Sequence, residues 1–159
     1  MDKLKKVVFG LIVVILLAQF YTPERNLGDS NLETFFTETN TPVSLQVVLK
    51  TSCADCHSNH TKYPWYNNIT PLNIWLKNHV DEGKSHLNFS MWKDYSLKKK
   101  AHKMEEIMEE VKEGEMPLNS YTWIHKDAVL NSKRLNALIT WAKENKMKYE
   151  LKGGFEDHD

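Results

Sequence analysis

The sequence predicts an all-α domain preceded by one apolar helix, and three observations predict it. Apolar residues recur at three- and four-residue spacing through several stretches of the 159-residue chain. Helix-opening pairs, Thr41-Pro42 and Thr70-Pro71, and helix-closing glycines, Gly83 and Gly114, punctuate those stretches. No strand pair or hairpin signal appears between them.

The first element is residues 1–21. Lys3, Lys5 and Lys6 precede an almost unbroken apolar run from Val7 to Tyr21, broken only by Gln19. This is the pattern of a signal anchor or an export signal. Fifteen residues at the helical rise span roughly 22 Å, short of a hydrocarbon core of about 30 Å. Leu16, Ala18, Gln19 and Phe20 offer no small-x-small cleavage pair, and no cysteine is present for lipid attachment. An uncleaved single-pass anchor in the cytoplasmic membrane is the favoured reading, with Tyr21 at the interface and the lysines inside. The rest of the chain is then expected on the periplasmic side. A cleaved signal is the other reading. Residues 22–40 are polar and aperiodic and read as a linker.

The domain proper is expected over 41–146. Its first helix opens at Thr41-Pro42, carries Val43, Leu45, Val47, Val48 and Leu49, and delivers the chain into Cys53-Ala54-Asp55-Cys56-His57. Cys-x-x-Cys-His is the attachment sequence of a c-type haem. Two thiols at that spacing can form thioethers with the two vinyl groups on one porphyrin edge, and the adjacent imidazole can ligate the iron from below. The chain has no other cysteine. Two rivals use the same residues. A thioredoxin-like pair needs a βαβ setting that is missing here. A zinc site could draw on Cys53, Cys56, His57 and His60, but adjacent Cys56 and His57 would have to turn to one ion, and no second ligand pair follows a dozen residues on.

Thr70-Pro71 opens the next helix, with Leu72, Trp75, Leu76, His79 and Val80 on one face and Gly83 as its stop. A third helix starts at Ser96, repeats Leu97, Ala101, Met104, Met108 and Val111, and ends at Gly114. Met116 follows in Gly114-Glu115-Met116-Pro117, where the glycine suits a left-handed cap and the proline keeps Met116 out of helical torsions. A displayed thioether is a good second axial ligand, and His/Met ligation raises a haem's potential. The competing use of Met116 is to plug the core. His125 is the runner-up sixth ligand. His79 reads as a core histidine, and His60, His86, His102 and His158 as surface residues. The last helix begins near Asn131 or Ser132 and buries Leu135, Leu138, Ile139 and Ala142; residues 147–159 read as a polar tail. Tyr63, Trp65, Tyr66, Trp75, Trp92, Trp123 and Trp141 could wall a porphyrin or simply pack a small core. The sequence does not single out the carbonyl that receives the His57 Nδ1–H; the segment around Tyr63-Pro64 is one candidate.

Charge excludes one class of partner. The chain has 21 basic and 21 acidic side chains; without Lys3, Lys5, Lys6 and Asp2 the domain stays near neutral. No basic stripe calls for nucleic acid, and Lys98-Lys99-Lys100 reads as one solvated helix face.

His57-Ser58-Asn59-x-Thr61-x-Tyr63-Pro64-Trp65-Tyr66, Pro71, Trp75 and Leu87-Asn88-Phe89-Ser90-x-Trp92 form a longer pattern, continued by Met116-Pro117, Tyr121, His125-x-x-Ala128 and Trp141. Over roughly residues 40–145 it resembles the small haem-binding domain family of bacterial exported proteins. The resemblance implies one covalent haem c per chain, export, and a genomic association with respiratory c-type cytochromes and peroxidase-like modules, without a settled enzymatic activity. The expectation is therefore a cytochrome c-like helical domain. It is expected to act as a membrane-anchored monohaem electron carrier, with Cys53, Cys56, His57 and Met116 at the haem and respiratory redox proteins of the cell envelope as partners. The alternative is a haem-based sensor or peroxidase-like protein with an open sixth site, where His125 would act as a distal acid/base.

Overall fold

The computed structural model describes residues 2–156, so His158 and the end of the predicted tail lie outside the described residues. Eight α-helices run through it: α1 (Lys3–Ala18), α2 (Leu32–Glu38), α3 (Val43–Ser52), α4 (Ala54–His57), α5 (Leu72–His86), α6 (Leu97–Glu113), α7 (Asn119–Ile124) and α8 (Ser132–Glu156). Three 3-10 turns, Trp65–Asn68, Phe89–Asp94 and Lys126–Ala128, join them. Among the described residues there is no sheet, only an isolated antiparallel bridge between Leu27 and His60.

The main core lies where α6 packs along α8 and α2 and α3 close one side. Met104, Ile107 and Val111 of α6 meet Leu138, Trp141, Ala142 and Tyr149 of α8. The α6 ends follow their sequence signals. Ser96 Oγ accepts the Lys99 N–H at 3.2 Å, and Gly114 takes φ +80°, the left-handed cap that spares a side chain the steric penalty. A smaller cluster of Tyr66, Leu76 and Val80 sits under α5, with Cys56 and Tyr63 packed against it.

Three expectations are corrected. Residues 22–40 are not a free linker, because α2 inserts Phe35 and Phe36 into the main core. The Phe35 ring lies 4.6 Å from Phe89 and 5.0 Å from Trp92. Ahead of α2, Asn26 straps the chain down: its carbonyl accepts the Thr61 N–H at 2.9 Å, and its Nδ2 donates to Ser58 O at 2.9 Å. Nor is the stretch from 147 onward a tail. The last helix continues through it and buries Tyr149, whose hydroxyl accepts from Trp92 Nε1 at 3.1 Å and donates to Glu38 Oε1 at 3.0 Å. Gly83 does not end α5, which runs on to His86.

The first helix has 16 residues, none buried. Among the described residues no helix is long and apolar enough to cross a membrane.

Candidate haem site

The site is built on a single turn. Cys53 ends α3 with φ −131° and ψ −44°, and its carbonyl accepts the N–H groups of Cys56 at 3.2 Å and His57 at 2.9 Å. That closure places two cysteines and a histidine on one helical turn. Cys53 packs against the main core and Cys56 against the smaller one, so the turn bridges both clusters.

Helix α5 presses against this turn at Gly83. A Cβ there would stand 2.8 Å from the Cys56 carbonyl oxygen and 3.1 Å from the Cys56 Cβ. Only a residue without a side chain permits that approach. Just past the end of α5, the Leu87 carbonyl lies 3.0 Å from His57 Nδ1. The ring nitrogen donates to it, which fixes the tautomer and leaves the Nε2 lone pair free for a metal. The acceptor that the sequence left open is therefore Leu87, not the candidate segment around Tyr63-Pro64. Burial holds His57 below its ordinary value, against the raising effect of the backbone carbonyls, so the ring is neutral at pH 7. Burial also pushes Cys53 up to about 12 and Cys56 up to about 11, with the charge of Cys56 and of Asp55, respectively, adding to it.

Asp55, between the two cysteines, organises the surrounding loops. Its Oδ1 accepts the Lys62 N–H at 3.0 Å and its Oδ2 accepts from the Tyr121 hydroxyl at 2.9 Å. The Tyr121 ring stacks on His125 with centroids 4.3 Å apart, and His125 Nε2 is 3.0 Å from the Tyr66 hydroxyl. Ser52 Oγ donates to Ala128 O at 2.9 Å, a second tie between the motif and the 116–128 segment. Thus His125 has one ring face and one nitrogen engaged. Met116 sits on its constrained loop, its N–H bonded to Glu110 O at 3.1 Å, half-buried against the same core that receives Cys53. Trp65 and Trp123, 74% and 77% exposed, flank the Tyr66–His125 contact in sequence.

The four zinc donors named from sequence do not converge. His60 Nδ1 lies 3.1 Å from Gly28 O, and among the described residues no three His, Cys, Asp or Glu side chains are grouped to hold a metal ion. His79 is half-buried and bonds within its own helix, to Trp75 O at 2.9 Å. His60, His86 and His102 are exposed, as expected. A cavity of about 510 Å³ between the α2–α3 corner and α8 touches none of the motif residues.

A family model described as a haem-binding domain matches residues 13–144. The chain belongs to the haem-binding domain family. Comparison with curated proteins and with solved structures found no match. The match to the haem-binding domain begins inside α1 and takes in the Asn26 strap, α2, the cysteine turn, Met116 and His125. The residues present fit a haem. Two thiols and an imidazole with a free Nε2 share one turn, and exposed indoles stand on the segments tied over it.

Sequence reasoning gave no site role to Gly83, Leu87, Asp55 or Tyr121: Leu87 and Tyr121 stood only as members of the longer pattern, Asp55 as a spacer of the motif, and Gly83 as a helix stop. A glycine inside an otherwise helical apolar pattern is a readable sign of close backbone approach.

Proposed function

We propose that this haem-binding domain is a monohaem c-type cytochrome of the bacterial cell envelope. Its haem is held covalently, and single electrons pass to and from respiratory redox proteins there. The observation that carries the reading is the His57–Leu87 bond beside two thiols on the same turn, because it supplies both the attachment groups and an oriented, neutral imidazole. Cys53 and Cys56 would hold the cofactor through thioethers, and His57 and Met116 would be the iron's two protein ligands. Bound there, the haem supplies a one-electron iron couple, and the protein's share is ligand choice, burial and orientation.

Met116 is favoured over His125 because Tyr66 and Tyr121 already hold the His125 ring in place. The same engagement disfavours the sensor or peroxidase-like reading, which needs His125 free to handle a substrate proton. In this account α1 anchors the chain in the cytoplasmic membrane, with the lysines inside and the haem domain outside.

The test is a pair of variants read by visible spectroscopy and potentiometry. Met116→Ala is expected to abolish the far-red sulfur-to-iron band of the oxidised protein, open the iron to small ligands and lower the potential. His125→Ala is expected to leave the low-spin spectrum in place. The reverse pattern would make the haem bis-histidine. A high-spin, peroxide-binding unsubstituted protein would replace the carrier by the sensor or peroxidase-like reading.

A further inference from the structure

The end of α1 is latched to the domain. Gln19 Nε2 donates to Thr70 O at 3.0 Å, and the Thr70 N–H returns a bond to Gln19 Oε1 at 3.0 Å. Two residues on, the Tyr21 carbonyl accepts from Asn73 Nδ2 at 3.1 Å and from Thr70 Oγ1 at 3.3 Å. Thr70 and Asn73 are buried polar residues, and this contact supplies several of their partners. A flexible tether would not be read in this way.

The latched corner is apolar on its outside. Ile69, Leu72, Ile74 and Trp75 are 40%, 41%, 37% and 39% exposed, and Phe20 and Tyr21 beside the latch are 85% and 57% exposed. Single exposed apolar residues are ordinary, but four within the short 69–75 segment, bonded to the end of an apolar helix, point to an occupant.

We infer that this corner sits in the membrane interface, so that the domain rests on the lipid headgroups with Ile69, Leu72, Ile74 and Trp75 facing the bilayer. The inference rests on the membrane-anchor reading of α1 and extends it to a partner surface on the domain. Continuity carries it, since the patch is bonded directly to the end of the apolar helix. Length supports it as well. Sixteen residues reach about 24 Å, some 6 Å short of the hydrocarbon thickness. A helix that short draws whatever is fixed to its end toward the headgroup level. An apolar patch with a tryptophan and a tyrosine suits that depth. From Val7 to Ala18 the helix is apolar on every side rather than two-faced, so it offers lipid no polar face on which to lie flat.

The experiment uses the full-length, haem-loaded chain in phosphatidylcholine–phosphatidylglycerol vesicles. Leu72→Cys and Ile74→Cys are labelled one at a time with a nitrobenzoxadiazole fluorophore. Glu109→Cys, exposed on α6, serves as the aqueous control, Val13→Cys as the bilayer control, and the unsubstituted chain as the blank. Quenching by aqueous iodide is compared with quenching by headgroup-level spin-labelled lipid. Labels at 72 and 74 are expected to be severalfold less accessible to iodide than the label at 109, and to be quenched by the lipid. If both are quenched by iodide like the label at 109 while the label at 13 stays shielded, the domain hangs free and the inference is overturned with the anchor intact. If the label at 13 is also open to iodide, the anchor reading has failed and the seating falls with it.

Discussion

At the scale of single residues, the site depends on what burial does to its ionisable groups. The Cys53 and Cys56 thiols ionise near 9.0 in ordinary surroundings, but in the fold they resist until about 12 and about 11. Between those limits the unfolded chain has lost protons that the folded one retains, so the folded state weakens as pH rises. The haem-free protein is therefore expected to lose stability progressively above pH 9. Tyr66, Tyr121 and Tyr149 are pushed up too, chiefly by burial, and weaken both forms alike. Thioether formation removes the thiols, so the loss should be smaller in the haem-loaded form. Urea titrations of both forms across this window check it; parallel pH profiles would contradict it. The His57 ring shows the same economy of means. One carbonyl, that of Leu87, sets its tautomer and its aim.

Among the elements, α4 and α5 decide whether that turn can exist. Gly83 lets α5 approach Cys56 to within the reach of a single absent carbon. Gly83→Ala is expected to push the helices apart, costing about 1–3 kcal/mol by overpacking, and to lower the fraction of chains loaded with haem. Thermal melts and haem-to-protein ratios check this, and an unchanged ratio would show that the approach is incidental. The element scale is also where the sequence was read best and worst. Helices with a start signal and about three or more turns of apolar repeat, α3, α5 and α6, stood out, although only α6 is closed by its sequence-read caps at both ends. The seven-residue α2 did not, because Leu32, Phe35 and Phe36 repeat over barely two turns inside a polar stretch. Gly83 was read as a stop because a glycine's packing role depends on a neighbour that sequence does not display. Leu87 acts through its carbonyl, which every residue has, so no residue type could have announced it. The Cys-x-x-Cys-His turn, Met116 and His125 were visible because their side chains are themselves the chemistry.

Across the whole molecule, the segments outside the predicted domain turn out to complete it. Phe35 anchors α2 between Phe89, Trp92 and Trp141 and is fully buried. Phe35→Ala is expected to cost about 3–5 kcal/mol, a large share of the stability of a small domain. Denaturant unfolding measures it, and a loss within a few tenths of a kcal/mol would return residues 22–40 to the status of a linker. Strap, core and last helix together hold the Leu87 carbonyl against His57 and the 116–128 segment over the cysteine turn, and the account's central claim is what that arrangement holds. The most direct measurement is the intact mass of the chain after denaturation, purified from cells that export it and carry the haem-attachment machinery. The account predicts polypeptide plus one haem, reduced to bare polypeptide in the Cys53→Ser/Cys56→Ser variant. Bare polypeptide from the unsubstituted chain, with haem released on denaturation, would contradict it.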